Sequence, residues 1–574
     1  MDRSHSENRS KLSQLISPTT TVVPAVAGGV LCWLAFPPVG WSLLVWVGPI
    51  PWLFLVSRVD LPGRRPYGAL WVGGFVFWLL AVHWIRLPHP LNYVAWLALA
   101  AYLGVYLPTF VATARVGVHQ LGFPLWLVAP VVWTGLDWFR GHLFTGFLMG
   151  SLAHTQAEQT AVIQIADLAG EYGVTFLIIL VAASITQFLT ALSIAREQSR
   201  PQLKAVKALL PGVLALIAAT LYGFARSNTQ QQSDYSGLRI ALVQGNTLAD
   251  WKQDPDRQQR IMDEHVQLSQ EAVKQSRERD GREIDLVIWP ETAFRVSLIT
   301  IEPGYTPPPG RIPAENLTAA QDYLKLLTRD LGAAVLVGID RVHVYPDAVG
   351  EIDYRKFNSS VLIDADGNVV GTYDKMHRVP FGEYIPFANW FPALYQLTPL
   401  TGGIDAGDRP ASLKLGGALY SPNICYETAV PHLIRQHVAE SAGGEKPDLL
   451  VNLTNDAWYW GSSELDMHLA CGVFRAVETR IPLVIAANGG LSAYIDQFGR
   501  VRQVTPRQQA TTLIVDVDEQ RDIASFYVKT GDWLAGGCVV CCLVLAIIGW
   551  RGRRFVSGDY RIPDPEVSED SARS

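Results

Sequence analysis

The chain has 574 residues, of which 49% are hydrophobic and only 17% charged, against about 25% charged in an average soluble domain. Forty-seven Lys and Arg set against 53 Asp and Glu leave a formal charge of −6. So much apolar residue excludes an intrinsically disordered chain. The lack of a basic excess excludes a nucleic-acid binder working by phosphate neutralisation.

The average conceals two unlike parts. Residues 1–226 carry 14 Lys/Arg and 8 Asp/Glu, a net of +6, and the remainder nets −12. Eleven of the 18 Trp fall between Trp33 and Trp138. A positive, charge-poor, Trp-rich segment joined to an acidic one reads as a membrane part and a water-soluble part.

In chain order, apolar runs of the length a bilayer requires, about 20 residues in a helix, cover 20–36, 41–57, 69–86, 91–114, 123–148, 161–192 and 208–225, and an eighth covers 533–550. Pro37 and Pro38 break the first pair. Basic residues alternate between the loops. Arg3, Arg9 and Lys11 precede the first run, and Arg58, Arg64 and Arg65 follow the second. Arg115 follows the fourth, and Arg196, Arg200, Lys204 and Lys207 separate the sixth from the seventh. Arg551, Arg553, Arg554 and Arg561 follow the eighth. Lys/Arg-rich short loops stay in the cytoplasm. Both termini are therefore expected inside, and everything between the seventh and eighth runs outside. The expected division is a cytoplasmic tail (1–19), a seven-helix membrane domain (20–226), an extracytoplasmic domain (237–526), an eighth transmembrane helix (533–550) and a cytoplasmic tail (551–574). Asp137 and Arg140, near the end of the fifth run, are charges at membrane depth. They read either as functional or as a local i,i+3 ion pair.

From about residue 237 the pattern changes. Short β-branched runs at 238–244, 284–289, 333–338, 359–364, 369–373, 418–424, 448–453, 482–487, 493–496 and 511–517 alternate with helical stretches near 256–277, 314–331, 429–440 and 464–480. Such interleaving predicts α/β layers. Asp366-Gly367-Asn368 between two of the runs signals a hairpin. Residues 303–313 (PGYTPPPGRIP) read as a loop. Residues 381–399, rich in Phe, Tyr, Trp and Pro without helical period, read as an apolar loop that is either exposed or ordinary core.

Three strand ends carry candidate chemistry. After Ile284-Asp-Leu-Val-Ile-Trp289-Pro290 comes Glu291, a carboxylate placed for desolvation and hence for general-base work. Tyr373-Asp374 precedes Lys375, a cation suited to stabilising an oxyanion. Ser421-Pro-Asn-Ile precedes Cys425, a candidate nucleophile whose thiolate a nearby Lys would favour. His377 and His468 are the alternatives for a Cys/His pair. The six cysteines (Cys32, Cys425, Cys471, Cys538, Cys541 and Cys542) form no zinc-ligand pattern, and a Cys425–Cys471 disulfide stays open. No metal or organic cofactor is indicated.

Trp-Pro-Glu, then Tyr-Asp-Lys, then Cys-Tyr-Glu on successive strand ends resembles the Glu–Lys–Cys triad of the nitrilase superfamily. Further motifs narrow the resemblance: Val243-Gln-Gly-Asn246, Tyr373 to Pro386 (YDKMHRVPFGEYIP), Asn455-Asp-Ala-Trp458 and Arg475-Ala-Val-Glu478, with Phe144-Thr-Gly-Phe147, Gln164-Ile-Ala-Asp167 and Tyr172-Gly-Val174 in the membrane part. Together with the spans, they resemble the apolipoprotein N-acyltransferase family of bacterial cytoplasmic membranes. The resemblance implies an α/β nitrilase-like αββα sandwich joined to an α-helical transmembrane bundle of about eight spans. It implies Cys425 as nucleophile, Glu291 as general base and Lys375 as oxyanion stabiliser. Glu383 becomes a second essential carboxylate, Tyr426 and Glu427 its companions beside the nucleophile, and Trp251 a ring over the site. Phe381, Tyr384, Trp390 and Phe391 are expected to form a lipid-contact loop. The implied reaction moves an acyl chain from a phospholipid, through a Cys thioester, to the N-terminal diacylglyceryl-cysteine of an apolipoprotein, with the bilayer as its setting and no nucleic acid involved. Asp137 where the family usually has Glu, Tyr459 where Phe is common, and the 485–490 segment depart from the pattern. The rivals are a membrane-anchored carbon–nitrogen hydrolase (amidase or nitrilase) and a transporter or receptor with a catalytically dead sensor domain.

Overall fold

The structure is a computed structural model. It describes residues 20–198, 203–227, 237–249, 254–388, 390–397, 400, 402–441, 444–517 and 523–558. The N-terminal tail and Trp251 lie outside the described residues, as does the C-terminal tail beyond 558.

The N-terminal part is helical: α1 (Val22–Leu34), α2 (Ile50–Ser57), α3 (Pro66–Ala81), α4 (Asn92–Gly104), α5 (Tyr106–Arg115), α6 (Leu125–His142), α7 (Ala166–Glu197) and α8 (Leu210–Ser227). Among the described residues, four helices are long and apolar enough to cross a membrane: Asn92–Gln120, Ala166–Arg196, Lys207–Ser227 and, at the far end of the chain, Trp533–Arg551. The early runs give shorter helices than their composition predicts. The 13 residues of α1 rise about 20 Å, short of a hydrocarbon core of about 30 Å, because the chain turns at Pro37-Pro38. The second run divides at Gly48-Pro49 into a 3₁₀ turn and α2. Small residues let these helices approach closely, as in membrane bundles. A Cβ on Gly73 would come within 2.6 Å of the Ala25 backbone, and one on Gly74 within 2.6 Å of the Gly104 carbonyl oxygen.

Beyond residue 237 the chain forms two sheets. Strands β1 (Leu238–Gln244), β2 (Leu286–Ile288), β3 (Phe294–Ile301), β4 (Ala334–Pro346), β5 (Ile352–Ile363) and β6 (Val369–Asp374) belong to the first, together with β13 (Thr511–Val517). Their order is β13-β1-β2-β4-β5-β6, with β3 paired on β4. Strands β7 (Leu413–Leu415), β8 (Ala418–Ile424), β9 (Leu449–Asn455), β10 (Leu483–Asn488), β11 (Ala493–Ile495) and β12 (Val501–Val504) form the second, in the order β12-β11-β10-β9-β8-β7. The central pairs β1–β2, β2–β4, β8–β9 and β9–β10 are parallel, and their strands are buried on both faces, as parallel strands usually are. Alternate residues of one strand serve different cores. Ile240 and Leu242 meet Leu449, Val451 and Val484 between the sheets, while Ala241 and Val243 face α9 (Pro255–Asp280) and α10 (Ala314–Leu331). The hairpin signal holds: Asp364 accepts from the N–H groups of Asp366 and Asn368, and β5 and β6 pair antiparallel across it. Strand β3 escapes the sequence pattern because its half-exposed Arg295, Val296 and Ser297 blur the alternation.

The outer face of the second sheet is covered by α11 (Pro431–Ala439) and α12 (Glu464–Thr479). Nearly every residue of α12 is buried, polar ones included, because its far side packs on the membrane helices. Met467, Cys471 and Phe474 share one apolar core with Met149, Ile163 and Val174. The last helix, α13 (Trp533–Gly558), returns along α6, where Gly135 leaves room for Cys542.

Buried ion pairs fasten this joint. Arg480 contacts Asp167 at 2.7 Å and donates to the Gln164 carbonyl at 3.1 Å. Arg475 donates to Glu171 at 2.6 Å and to Glu478 at 3.0 Å, and Glu478 accepts from the Glu171 N–H at 2.7 Å. The motifs around Gln164, Tyr172 and Arg475 are thus the two halves of one joint. Asp137 and Arg140 form the i,i+3 pair at 3.2 Å. Arg140 also donates to the carbonyls of Phe147 and Met149 and lies over the Trp78 ring. Tyr459 meets Trp84 edge-on at 5.1 Å across the same boundary.

Candidate active site

Glu291, Lys375 and Cys425 follow β2, β6 and β8, so the two facing sheets deliver all three to one end of the sandwich. Lys375 is 1% exposed. Its Nζ donates to Glu383 Oε1 at 2.7 Å and to Glu291 Oε1 at 3.2 Å. Burial pulls the Lys375 ammonium down, but the carboxylates of Glu291 and Glu383 outweigh it, and its pKa lies well above the ordinary lysine value. It is a fixed cation. Glu291 is held by three donors: Asn358 Nδ2 at 2.6 Å, Lys375 Nζ, and the Asn455 backbone N–H at 3.1 Å on its other oxygen. Glu383 is pinned by Lys375 and by the Val379 N–H at 2.7 Å.

Cys425 is half-buried and free, as is the buried Cys471, so the disulfide left open by the sequence does not form. The Cys425 backbone has φ +54°, a left-handed conformation that costs an L-residue about 1–3 kcal/mol and persists only where its surroundings enforce it. They do so here. The Cys425 carbonyl accepts from Asn452 Nδ2 at 3.1 Å and faces His468 Nε2 at 3.2 Å. Burial pushes the Cys425 thiol well up, and Glu291 adds to this against the opposing charge of Lys375. Lys375 pulls toward the thiolate, as its charge predicts, but burial and Glu291 outweigh it. The resting group is the neutral thiol, and a base must act during reaction.

Glu427 is fully buried and acts as a clamp. It accepts from the N–H groups of Ile424, Met376 and His377 and from the Tyr373 hydroxyl, tying the Cys425 turn to the segment that carries Lys375. Burial pushes its carboxyl up to about 7, with the His377 N–H pulling the other way. Tyr426 turns toward the membrane part, parallel to Phe147 at 6.4 Å and tilted against His377 at 5.8 Å. Arg140, holding the Phe147 carbonyl, thus reaches the residue after Cys425 through one ring. Burial, helped by Lys375, lowers His377 to about 4, leaving a neutral ring beside Tyr426. Phe381, Phe387, Trp390 and Phe391 are all more than half exposed, Trp390 at 75%, with Phe387 and Trp390 stacked at 5.9 Å. Tyr384 lies under Arg378 instead.

Asp456, Glu464 and His468 offer one donor atom each within 4.8 Å of one another, an arrangement that could hold a cation. Both ring nitrogens of His468 already face protein acceptors, however, Asp456 Oδ1 and the Cys425 carbonyl. The sequence reading missed Asn358, Asn452 and the Asn455 N–H. The available signal was asparagine inside buried strands, where its side chain needs partners.

Residues 28–184 match the apolipoprotein N-acyltransferase N-terminal domain, and residues 239–523 match the carbon-nitrogen hydrolase family. The apolipoprotein N-acyltransferase of Rhodopirellula baltica is 32% identical over 92% of this chain and 97% of its own length. The chain belongs to the apolipoprotein N-acyltransferase family. The Geobacter metallireducens member is 33% identical over 93% of this chain and 96% of its own. A nitrilase-superfamily amidase from Nesterenkonia AN1 aligns with 53% of this chain and 98% of its own at 20% identity, with a TM-score of 0.34. Family membership accounts for the pairing of a nitrilase-like sandwich with apolar helices in one integral membrane protein.

Proposed function

We propose that the protein is an N-acyltransferase that moves a fatty acyl chain from a phospholipid to the α-amine of a diacylglyceryl-cysteine at the N-terminus of an apolipoprotein. The observation that carries this reading is a thiol on an enforced turn, beside a carboxylate and a buried lysine, in a chain of this family. Glu291 takes the Cys425 proton as Sγ attacks the ester carbonyl. Lys375 and backbone N–H groups near Tyr426 hold the developing oxyanion, the electrostatic stabilisation on which acyl transfer depends. Glu291 returns the proton to the departing lysophospholipid alkoxide, and a thioester remains on Cys425. The acceptor amine then attacks that thioester, giving up a proton through Glu291, and the thiol is restored. Glu383 fixes Lys375, and Glu427 holds the turn.

The domains are those of the sequence reading: a membrane domain over 20–226, a periplasmic catalytic domain over 237–526, and a last span at 533–550, with both tails in the cytoplasm of a Gram-negative cell. The alternating Lys/Arg loops support this orientation and the total of eight spans. α12, buried between sandwich and bundle, supports a site at the bilayer surface, where scarce water favours transfer over hydrolysis.

The exposed ring cluster around Trp390 is the proposed entry for acyl chains, since apolar patches of this kind mark lipid or partner contacts. The double substitution Trp390→Ser and Phe391→Ser is expected to raise the apparent KM for vesicle-borne phospholipid about tenfold and leave the melting temperature unchanged, because both rings lie outside the core. An unchanged KM in steady-state assays with vesicles would remove the loop from this role. Mass spectrometry of the purified protein after incubation with phospholipid vesicles tests the assignment: a fatty acyl adduct on Cys425 supports it, and its absence overturns it.

A further inference from the structure

His468 lies on α12, 43 residues from Cys425 in sequence, and is 3% exposed. Its Nε2 faces the Cys425 carbonyl at 3.2 Å, and its Nδ1 faces Asp456 Oδ1 at 3.3 Å. Asp456 is itself fixed by the Thr454 hydroxyl at 2.6 Å. Both partners of the ring are acceptors, so the arrangement is satisfied only when both nitrogens carry protons. The surrounding charges agree. Burial pulls the imidazole down, but Asp456 outweighs it, with Glu464 and Cys471 adding from the same helix, and the ring is raised to about 10. Cys425, Lys375 and Tyr459 also face this cluster.

We infer that His468, oriented by Asp456, is a positioning residue: it donates to the Cys425 carbonyl and so holds the left-handed turn that aims Sγ toward Glu291. A carbonyl held by a charged donor on one side and by Asn452 on the other cannot rotate without breaking both bonds, and hydrogen bonds from charged donors are the stronger kind. The turn is the feature that needs holding. Cys425 is not glycine, and its φ is positive only because the surroundings enforce it. His468 therefore acts through Cys425 and makes no contact with substrate in this account. The inference rests on Cys425 being the nucleophile.

The test compares His468→Gln with His468→Met in the purified full-length protein, using vesicle-borne phosphatidylethanolamine and following acylation of Cys425 by mass spectrometry. Gln and Met have similar shapes. Gln places an N–H where Nε2 sits, and Met places none. H468Q is expected to acylate within about fivefold of the wild-type rate constant, and H468M about 100-fold more slowly, a difference of about 2.7 kcal/mol at 1.36 kcal/mol per factor of ten. The apparent KM for phospholipid is expected to stay unchanged in both. Equal rate constants for folded H468Q and H468M would overturn the inference, as would a loss residing in KM alone. Should H468M fail to fold, H468Q decides by itself, and a fall of 100-fold or more in folded H468Q overturns the positioning role. Failure of the underlying reading looks different: the wild-type protein then carries no acyl group on Cys425 at all.

Discussion

Glu291→Gln is expected to slow formation of the Cys425 acyl adduct by about 10³-fold while leaving the domain folded. The size follows from the chemistry. Burial and Glu291 itself keep the Cys425 thiol protonated at rest, so the attacking thiolate exists only as its proton is taken, and a positioned general base contributes about 10²–10⁴-fold. Glutamine keeps an oxygen for Asn358 and Lys375 but turns an amide N–H toward the Asn455 N–H, which Glu291 Oε2 now accepts. One unsatisfied buried donor costs about 1–3 kcal/mol, visible as a modest fall in melting temperature. Stopped-time mass spectrometry with a circular dichroism melt separates the two effects. A folded E291Q acylating at the wild-type rate would remove Glu291 from the reaction. Lys375→Met is a poorer probe, since it strands the buried Glu291 and the partly buried Glu383 without their cation, a change that destabilises by about 3–5 kcal/mol.

The second large effect lies at the joint between sandwich and bundle. Arg475→Met is expected to destabilise the joint between sandwich and bundle by about 3–5 kcal/mol. Arg475 is fully buried and is the shared partner of Glu171 and Glu478, and removing one partner of a buried pair leaves uncompensated charge. The midpoint of heat inactivation in vesicles should fall by roughly 10 °C. Arg475→Lys should lie between the two, because the ammonium keeps the charge but cannot reproduce the forked contact to two carboxylates. An inactivation midpoint within a degree of wild type for R475M would mean that the joint is held by its apolar contacts alone.

Both effects bear on what the sequence could reveal. The α/β layering was legible in the alternation of short strand runs such as Leu238–Gln244 and Ala418–Ile424, which the structure keeps as strands, whereas the αββα sandwich and the grouping of Glu291, Lys375 and Cys425 came from the resemblance of the motifs that carry them. The charge of the thiol was not legible. The pull of Lys375 toward thiolate was legible and is present, but the burial and the Glu291 carboxylate that outweigh it are properties of the assembled site. The joint was visible only as motifs. Asp167 and Arg480 stand 313 residues apart, and no local pattern announces that pairing. Asn358 escaped for the same reason, since its partners arrive from other segments, and His468, legible only as an alternative partner for Cys425, meets the Cys425 carbonyl instead of the thiol. In the membrane part, the sequence located the apolar runs and the break at Pro37-Pro38, but not the division of the second run at Gly48-Pro49, which interrupts the helix inside an apolar stretch.

The central claim is that Cys425 carries the acyl group between two lipid substrates. The most direct measurement is intact-protein and peptide mass spectrometry of the purified protein after incubation with phospholipid vesicles, followed by addition of a diacylglyceryl-cysteinyl peptide. The account predicts a fatty acyl adduct on the peptide containing Cys425, absent in Cys425→Ser, that disappears as the added peptide gains the same mass on its α-amine. A protein that releases ammonia from simple amides and never holds an acyl group on Cys425 from phospholipid would contradict it.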